Sequence, residues 1–232
     1  VDGVIGGSTE HGFEVSQPVQ RKNFALYLYL CPDTDYRDTF IYQSQQYLDT
    51  LSGFVTADML SRFHIIAYYD QIDNGPTTYR VLQQTPVGIQ WQEVVTFDDL
   101  NSGNIDTFMD FMDYAHTNHP ADRKMLVLVD HGGGWHPGAM NEMPELPASE
   151  RSIVYEDGRE LYINQIRNRL YHNNYLFDLI VTEACLMHQI EVAFEWKQVA
   201  KYMVGVETVG WTSPNASLGL ETLLSVLYDA SW

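Results

Sequence analysis

Cysteine is scarce in this chain, since only Cys31 and Cys185 occur among its 232 residues. A small secreted scaffold held by several disulfides is therefore excluded, while one bridge and two thiols both remain open. Long apolar runs are also absent, because no uninterrupted stretch reaches the roughly 20 residues that a membrane-spanning helix needs. The sequence starts at Val1 rather than at methionine, so we expect a trimmed amino terminus.

Basic residues are few, with 13 Lys and Arg against 31 Asp and Glu, for a formal net charge of −18. This excess of acid argues against a nucleic-acid partner and favours attraction of cationic ones. The apolar share of 45%, with 13% aromatic residues, is ordinary for a folded globular domain. We predict a polar, glycine-rich extension over residues 1–20 and a single domain over residues 21–232.

Apolar runs with the length of buried strands alternate with segments of helical periodicity. The pattern predicts strands at 24–30, 63–69, 124–129, 177–182 and 202–206, with a short peripheral hairpin strand at 77–85. It predicts helices at 38–51, 104–119, 161–171, 186–199 and 218–227, and a long loop over 141–156. Because the core strands are apolar almost throughout, we expect an α/β fold with a mostly parallel sheet covered on both faces.

Two short motifs follow predicted core strands. Asp130-His131-Gly132-Gly133-Gly134-Trp135 comes after the strand at 124–129, and Glu183-Ala184-Cys185-Leu186-Met187 comes after the strand at 177–182. Both motifs would emerge at the carboxyl edge of the sheet, where open α/β sheets bind ligands. A histidine and a cysteine delivered to one edge form a candidate base and nucleophile.

The residue types around these two side chains suit attack on a carbonyl. A cysteine nucleophile reacts as thiolate, and Cys185 is predicted at a turn into a helix, whose amino terminus favours negative charge. His131 can serve as the base. The Gly132-Gly133-Gly134 run allows backbone N–H groups to approach a reacting carbonyl oxygen, as an oxyanion hole requires.

The two motifs together resemble the paired signatures of the clostripain family of cysteine peptidases, which are relatives of caspases, gingipains and legumain. The resemblance extends over roughly residues 104–211. It implies a caspase-like αβα sandwich in which His131 is the general base or acid and Cys185 the nucleophile. It also implies that the amide of Gly132 or Gly133, together with that of Cys185, binds the oxyanion. Peptide hydrolysis would then pass through a thioester and require no cofactor.

The resemblance also implies a substrate class. Family members typically hold a substrate arginine or lysine in an acidic pocket, and the residue two before the cysteine is usually aspartate, whereas here it is Glu183. The longer acid keeps a cationic preference and leaves the ranking of arginine over lysine open. Glu207 is the candidate second acid of the pocket and Trp211 a candidate wall. Peptides or proteins with Arg or Lys are thus the expected partners.

Self-processing is a further implication, because family members are often activated by a cut between the histidine and cysteine segments. The acidic, proline-rich loop between them contains Arg151, which we predict as the cleavage point, with Arg159 second. The resemblance suggests a secreted, periplasmic or cell-surface protein.

Other interpretations remain open at this point. A catalytically inactive member of the same fold could bind cationic peptides. Acidic clusters at 33–38 and 142–145 could bind calcium, although neither has EF-hand spacing. A zinc site could use four side chains, His131, His136, Cys185 and His188, although their spacing matches no tight metal motif. The oligomeric state is not indicated.

Overall fold

The computed structural model describes residues 20–32, 37–73, 75–130, 132, 152–156, 158–207 and 219–229. Its strands are β1 (Lys22–Leu30), β2 (Phe63–Tyr69), β3 (Thr78–Thr85), β4 (Gly88–Thr96), β5 (Ala121–Val129), β6 (Ser152–Glu156), β7 (Arg159–Tyr162), β8 (Phe177–Glu183) and β9 (Ala200–Val204). Its helices are α1 (Arg37–Phe54), α2 (Ala57–Arg62), α3 (Ile105–Asn118), α4 (Ile163–His172), α5 (Ile190–Trp196) and α6 (Leu220–Asp229).

Seven strands form one mixed sheet in the order β4-β3-β2-β1-β5-β8-β9. The five strands from β2 to β9 in that order run parallel, and β3 and β4 extend the sheet as an antiparallel hairpin. β1 lies in the middle, and the side chains from Ala25 to Leu30 are all buried, because helices cover both faces. The predicted α/β fold with a mostly parallel sheet is therefore confirmed.

The alternation of side chains along the strands divides the interior into two cores. Tyr27 and Tyr29 of β1 point to the core that contains Phe108 of α3. Leu26 and Leu28 point to the opposite core, which α1, α2 and α6 cover. The result is a three-layer arrangement of helices, sheet and helices, and it leaves the carboxyl ends of β1, β2, β5 and β8 at one edge.

Helix α3 leads into β5 and is bounded as the sequence predicts. The side chain of Asn104 accepts a hydrogen bond from the backbone N–H of Asp106 at 3.0 Å and so caps the first turn. At the other end Pro120 cannot continue the helix, and β5 starts at the next residue. This short connection fixes the position from which the strand before the histidine motif begins.

Several elements differ from the sequence prediction. The predicted helix at 186–199 is shorter, since α5 begins at Ile190 and the preceding residues form a turn. The predicted loop at 141–156 ends in strand β6, and Leu161 belongs to β7 rather than to α4. Strand β4 was not predicted, because it lies at the edge of the sheet and none of its side chains is fully buried. In the part of the chain that is described, no helix is long and apolar enough to cross a membrane.

Candidate active site

Cys185 lies in a tight turn just beyond the carboxyl end of β8. Glu183 is the last residue of the strand, and residues 184–189 form the turn before α5. Leu186 adopts a left-handed backbone conformation with φ 62°, which costs a residue with a side chain roughly 1–2 kcal/mol. Cys185 is half-buried and lies in the turn from β8 into α5, as predicted, but α5 starts five residues later, so the cysteine does not lie directly at the amino terminus of the helix.

The histidine motif meets the cysteine motif at Gly132. Strands β5 and β8 are parallel neighbours, with Val129 opposite Glu183, so both motifs leave the sheet side by side. Gly132 is buried, and a Cβ built on it would lie 2.9 Å from the backbone nitrogen of Cys185 and closer still to its carbonyl oxygen. The two backbones are thus in direct contact, and only glycine fits at position 132.

Several predicted site residues lie outside the described part of the chain: His131, Gly133, Arg151, Trp211 and His136 of the zinc hypothesis. Arg159, the second candidate for self-cleavage, is the first residue of β7 and is exposed. The pairing of His131 with Cys185 therefore stays a prediction, and its structural support is the contact made by Gly132.

The two predicted pocket acids lie at the same edge of the sheet as Cys185. Glu183 is 8% exposed at the end of β8, and Glu207 is exposed three residues after β9. The backbone N–H of His188 donates to the carbonyl of Val206 at 3.0 Å, so the segment after β9 runs against the turn that carries the cysteine. This hydrogen bond brings the chain around Glu207 beside the Cys185 turn.

Both cysteines are thiols, but their surroundings differ. Cys31 follows β1, is 1% exposed, and burial together with the nearby Asp130 and Asp70 carboxylates raises its pKa well above the usual thiol range. A buried neutral thiol is a poor nucleophile. Cys185 is half-buried, so of the two thiols it is the one open to a reagent.

A buried pair of carboxyl groups also lies at this edge, and the sequence prediction missed it. Asp70 directly follows β2 and Glu156 ends β6; the Ser102 hydroxyl donates to Asp70 and the Ser102 backbone N–H donates to Glu156, so both carboxyl groups lie against Ser102. Asp70 is 0% and Glu156 4% exposed. The sequence contains part of the evidence for this pair, because Asp70 follows an apolar strand just as Asp130 of the histidine motif does.

Metal ligation has no support among the residues described here, where no three His, Cys, Asp or Glu side chains come together as a cation site. Two members of the zinc hypothesis, Cys185 and His188, belong to this part, and the other two lie outside it. The acidic clusters considered for calcium at 33–38 and 142–145 lie largely or wholly outside it.

Comparison with known proteins agrees with the two motifs. A sequence model of the clostripain family, Peptidase C11, matches residues 48–214, which include both motifs. Clostripain of Hathewaya histolytica is 28% identical over 101 residues, a match that covers 43% of this chain and 19% of the clostripain sequence.

Solved structures share the fold. A secreted C11 cysteine protease from Bacteroides thetaiotaomicron, "iotapain", superposes with a TM-score of 0.70 and 19% identity over 89% of this chain and 58% of that one. An inactive zymogen C11 protease from Parabacteroides distasonis gives a TM-score of 0.62 and 22% identity over 84% of this chain and 51% of that one. The chain thus spans little more than half of these structures. The family match, the fold and the meeting of the two motifs agree, and the chain belongs to the clostripain family of cysteine peptidases.

Proposed function

We propose that the protein is a cysteine endopeptidase that cleaves after arginine or lysine, with Cys185 as nucleophile and His131 as general base and acid. The observation that carries the proposal is the contact between the backbones of Gly132 and Cys185. His131 is bonded to Gly132, and consecutive Cα atoms are about 3.8 Å apart. This short covalent link to Gly132 supports a pairing of the His131 imidazole with the Cys185 thiol.

The chemistry follows from these groups. His131 takes the proton of the Cys185 thiol, and the thiolate sulfur bonds to the scissile carbonyl carbon. The amides of Cys185 and of Gly132 or Gly133 donate to the oxyanion, and His131 returns the proton to the departing amine, which leaves a thioester. Water, deprotonated by His131, then attacks the thioester, releases the carboxyl product and restores the thiol. No step needs a metal or cofactor.

Two acidic side chains support a cationic specificity. Glu183 ends the strand two residues before the nucleophile, and Glu207 follows the segment that is hydrogen-bonded to the Cys185 turn. A pair of carboxylates beside the reacting thiol suits the charge of an arginine or lysine side chain. Trp211 is the proposed wall of this pocket, against which the aliphatic part of the substrate side chain packs.

Self-processing after Arg151 is part of the proposal. Ser152 is the first residue of β6, so a cut after Arg151 falls just before the hairpin. Arg159 lies inside that hairpin, opposite Glu156, and a protease must pull a paired residue out of its ladder before cleaving it. We therefore rank Arg151 above Arg159. Replacement Arg151→Gln should keep the chain intact on incubation, as followed by intact mass.

We further propose that the protein acts outside the cytoplasm on peptide or protein substrates. The similar Bacteroides thetaiotaomicron protease is described as secreted. The second candidate function, binding of cationic peptides without cleavage, uses the same acidic pocket and differs only in the reactivity of Cys185.

Cleavage of a peptide library tests the proposal. The parent protein should cut after Arg or Lys, and Cys185→Ala should show no cleavage, whereas Cys31→Ala should retain it because Cys31 is buried away from solvent. Glu183→Gln and Glu207→Gln should each lower kcat/KM after basic residues by at least about tenfold, a loss of 1.4 kcal/mol. Binding of basic peptides with no cleavage would favour the inactive alternative, and equal losses for all residue types would contradict the pocket.

A further inference from the structure

The buried carboxyl pair connects two elements that are distant in sequence. Asp70 Oδ1 accepts a hydrogen bond from the Thr77 hydroxyl at 2.9 Å, and Oδ2 accepts one from the Ser102 hydroxyl at 2.5 Å. Glu156 Oε2 accepts the backbone N–H of Ser102 at 2.5 Å. Ser102, in the turn before α3, thus bridges the two acids. Through this bridge, Glu156 of the β6–β7 hairpin is connected to Asp70 at the end of β2.

The hairpin also packs on the backbone of that turn. The Asn101 side chain donates from Nδ2 to the carbonyl of Glu156 at 3.1 Å. A Cβ at Gly103 would lie 2.6 Å from the carbonyl oxygen of Arg159, the first residue of β7. A side chain at position 103 would therefore push the hairpin off the sheet edge.

The two carboxyl groups differ in their pKa values. Burial and the neighbouring Asp70 carboxylate raise the pKa of Glu156 to about 9, and burial raises the pKa of Asp70 to about 6. Near neutral pH, Asp70 is therefore ionised, while Glu156 keeps its proton. The titratable groups that interact with the pair are Tyr29 of β1, Cys31 after β1, Tyr68 and Tyr69 of β2, and Asp99 before α3. None of these supplies a positive charge that would stabilise a second carboxylate.

We propose that Asp70 and Glu156 form a proton-dependent anchor that holds the β6–β7 hairpin on the carboxyl edge of the sheet and keeps that edge positioned for catalysis. The catalytic part of this inference rests on the proposed peptidase function. The anchor itself rests only on the hydrogen bonds and packing described above.

The acid pair lies close to the histidine and cysteine motifs, because the ends of neighbouring strands carry both. Cys31 lies close enough to Asp70, Glu156 and Asp130 for their charges to act on its thiol. Asp130 is buried and lies two residues before Gly132, whose backbone contacts that of Cys185. When Glu156 loses its proton, the two buried carboxylates repel each other, and the hairpin is released.

The direction of the pH effect follows from linkage. In an opened hairpin Glu156 has the ordinary pKa of 4.5, below its value in the closed state. The closed state therefore binds one proton more between these two values, and its advantage falls as pH rises through that window. Asp70 is ionised in both states above about pH 7, so it does not contribute there.

Amide hydrogen exchange on residues 152–162 tests the anchor, with Cys185→Ala as the parent to prevent self-cleavage. Between pH 7 and 8.5 the protection factors of the parent should fall by up to about tenfold per pH unit, the effect of one proton. Glu156→Gln should hold them within about twofold, because an amide can donate to Asp70 and does not titrate. Glu160→Gln makes the same substitution at a hairpin residue outside the pair and should behave as the parent. A parent with flat protection, or a Glu156→Gln protein with the parent's slope, would overturn the anchor.

Steady-state kinetics with Cys185 intact tests the positioning. Gly103→Ala displaces the hairpin without changing any titratable group and should lower kcat at least about tenfold. KM should stay within about threefold, since the pocket acids lie at the end of β8 and after β9 rather than on the hairpin. Glu156→Gln should retain kcat. If Gly103→Ala lowers hairpin protection but leaves kcat unchanged, the positioning role is wrong. If neither the wild type nor any variant cleaves a peptide, but hydrogen exchange depends on pH as described, the peptidase proposal fails and the anchor stands.

Discussion

At the scale of single residues, the site depends on how closely two backbones approach. Gly132 touches the Cys185 backbone, and Leu186 takes a left-handed conformation directly after Cys185. Such strain persists only where the surrounding structure fixes it. The contact at Gly132 is what fixes the cysteine turn from the other side.

Replacing Gly132 with alanine should therefore separate the two motifs. The added Cβ meets the Cys185 backbone and the Met187 side chain, with 2.6 Å to Met187 Cγ. We expect a loss of at least about 100-fold in kcat/KM and a fall of about 1–3 kcal/mol in the free energy of unfolding, as overpacking costs. Gly53→Ala is the matched control, since a Cβ there meets nothing within 4 Å. Full activity in Gly132→Ala would show that the contact is dispensable.

This contact could not be predicted from the sequence. The pattern of strands placed Cys185 and the histidine motif at one edge, and the neighbouring strands β5 and β8 confirm that part. The distance between two loop backbones depends instead on φ angles such as that of Leu186, which no apolar periodicity reports. The acid pair escaped for a related reason, because its members are 86 residues apart in a chain that carries 31 acidic residues.

At the scale of secondary-structure elements, the sequence predicts the long helices and the central strands with apolar, buried side chains well. It predicts short or exposed strands poorly. The helix predicted at 104–119 is α3, because its apolar stripe faces the core and Pro120 ends it. The edge strand β4 was missed because none of its side chains is fully buried, and the hairpin β6–β7 was missed because its strands have only five and four residues.

The cap of α3 gives a test at this scale. Asn104→Ala removes the acceptor for the Asp106 N–H and should lower the free energy of unfolding by about 1 kcal/mol. Asn104→Ser keeps a capping oxygen and should remain within about 0.5 kcal/mol of the parent. Urea unfolding of both variants in the Cys185→Ala background measures the difference. Equal stability of the alanine and serine variants would mean that the cap contributes nothing.

At the scale of the whole molecule, buried and half-buried titratable groups lower stability at both acid and alkaline pH. Burial lowers the pKa of His64 and His116 to about 4 and that of His119 to about 3. Unfolding releases these imidazoles to bind protons, so they lower stability as pH falls below about 6.5. Glu156, whose pKa is raised to about 9, lowers stability as pH rises from 4.5.

The free energy of unfolding should thus be greatest near about pH 6.5 and fall by about 1–2 kcal/mol toward pH 5 and toward pH 8.5. Glu156→Gln should flatten the alkaline side and His64→Gln the acid side. His172→Gln, which changes an exposed histidine, should leave the curve unchanged. Urea unfolding across this range checks the shape. Stability that rises steadily from pH 6.5 to 8.5 would contradict the account.

The central claim is that Cys185 is an activated nucleophile beside the histidine motif and an acidic pocket. The most direct measurement uses peptide chloromethyl ketones that end in arginine, lysine or aspartate. The protein is reacted with each reagent, and mass spectrometry then identifies the labelled residue and the rate of labelling. We expect rapid labelling of Cys185 alone by the arginine or lysine reagent, slow labelling by the aspartate reagent, and at least about a 100-fold slower reaction in His131→Ala. Labelling of Cys185 at the same slow rate by all three reagents, unaffected by His131→Ala, would contradict the claim.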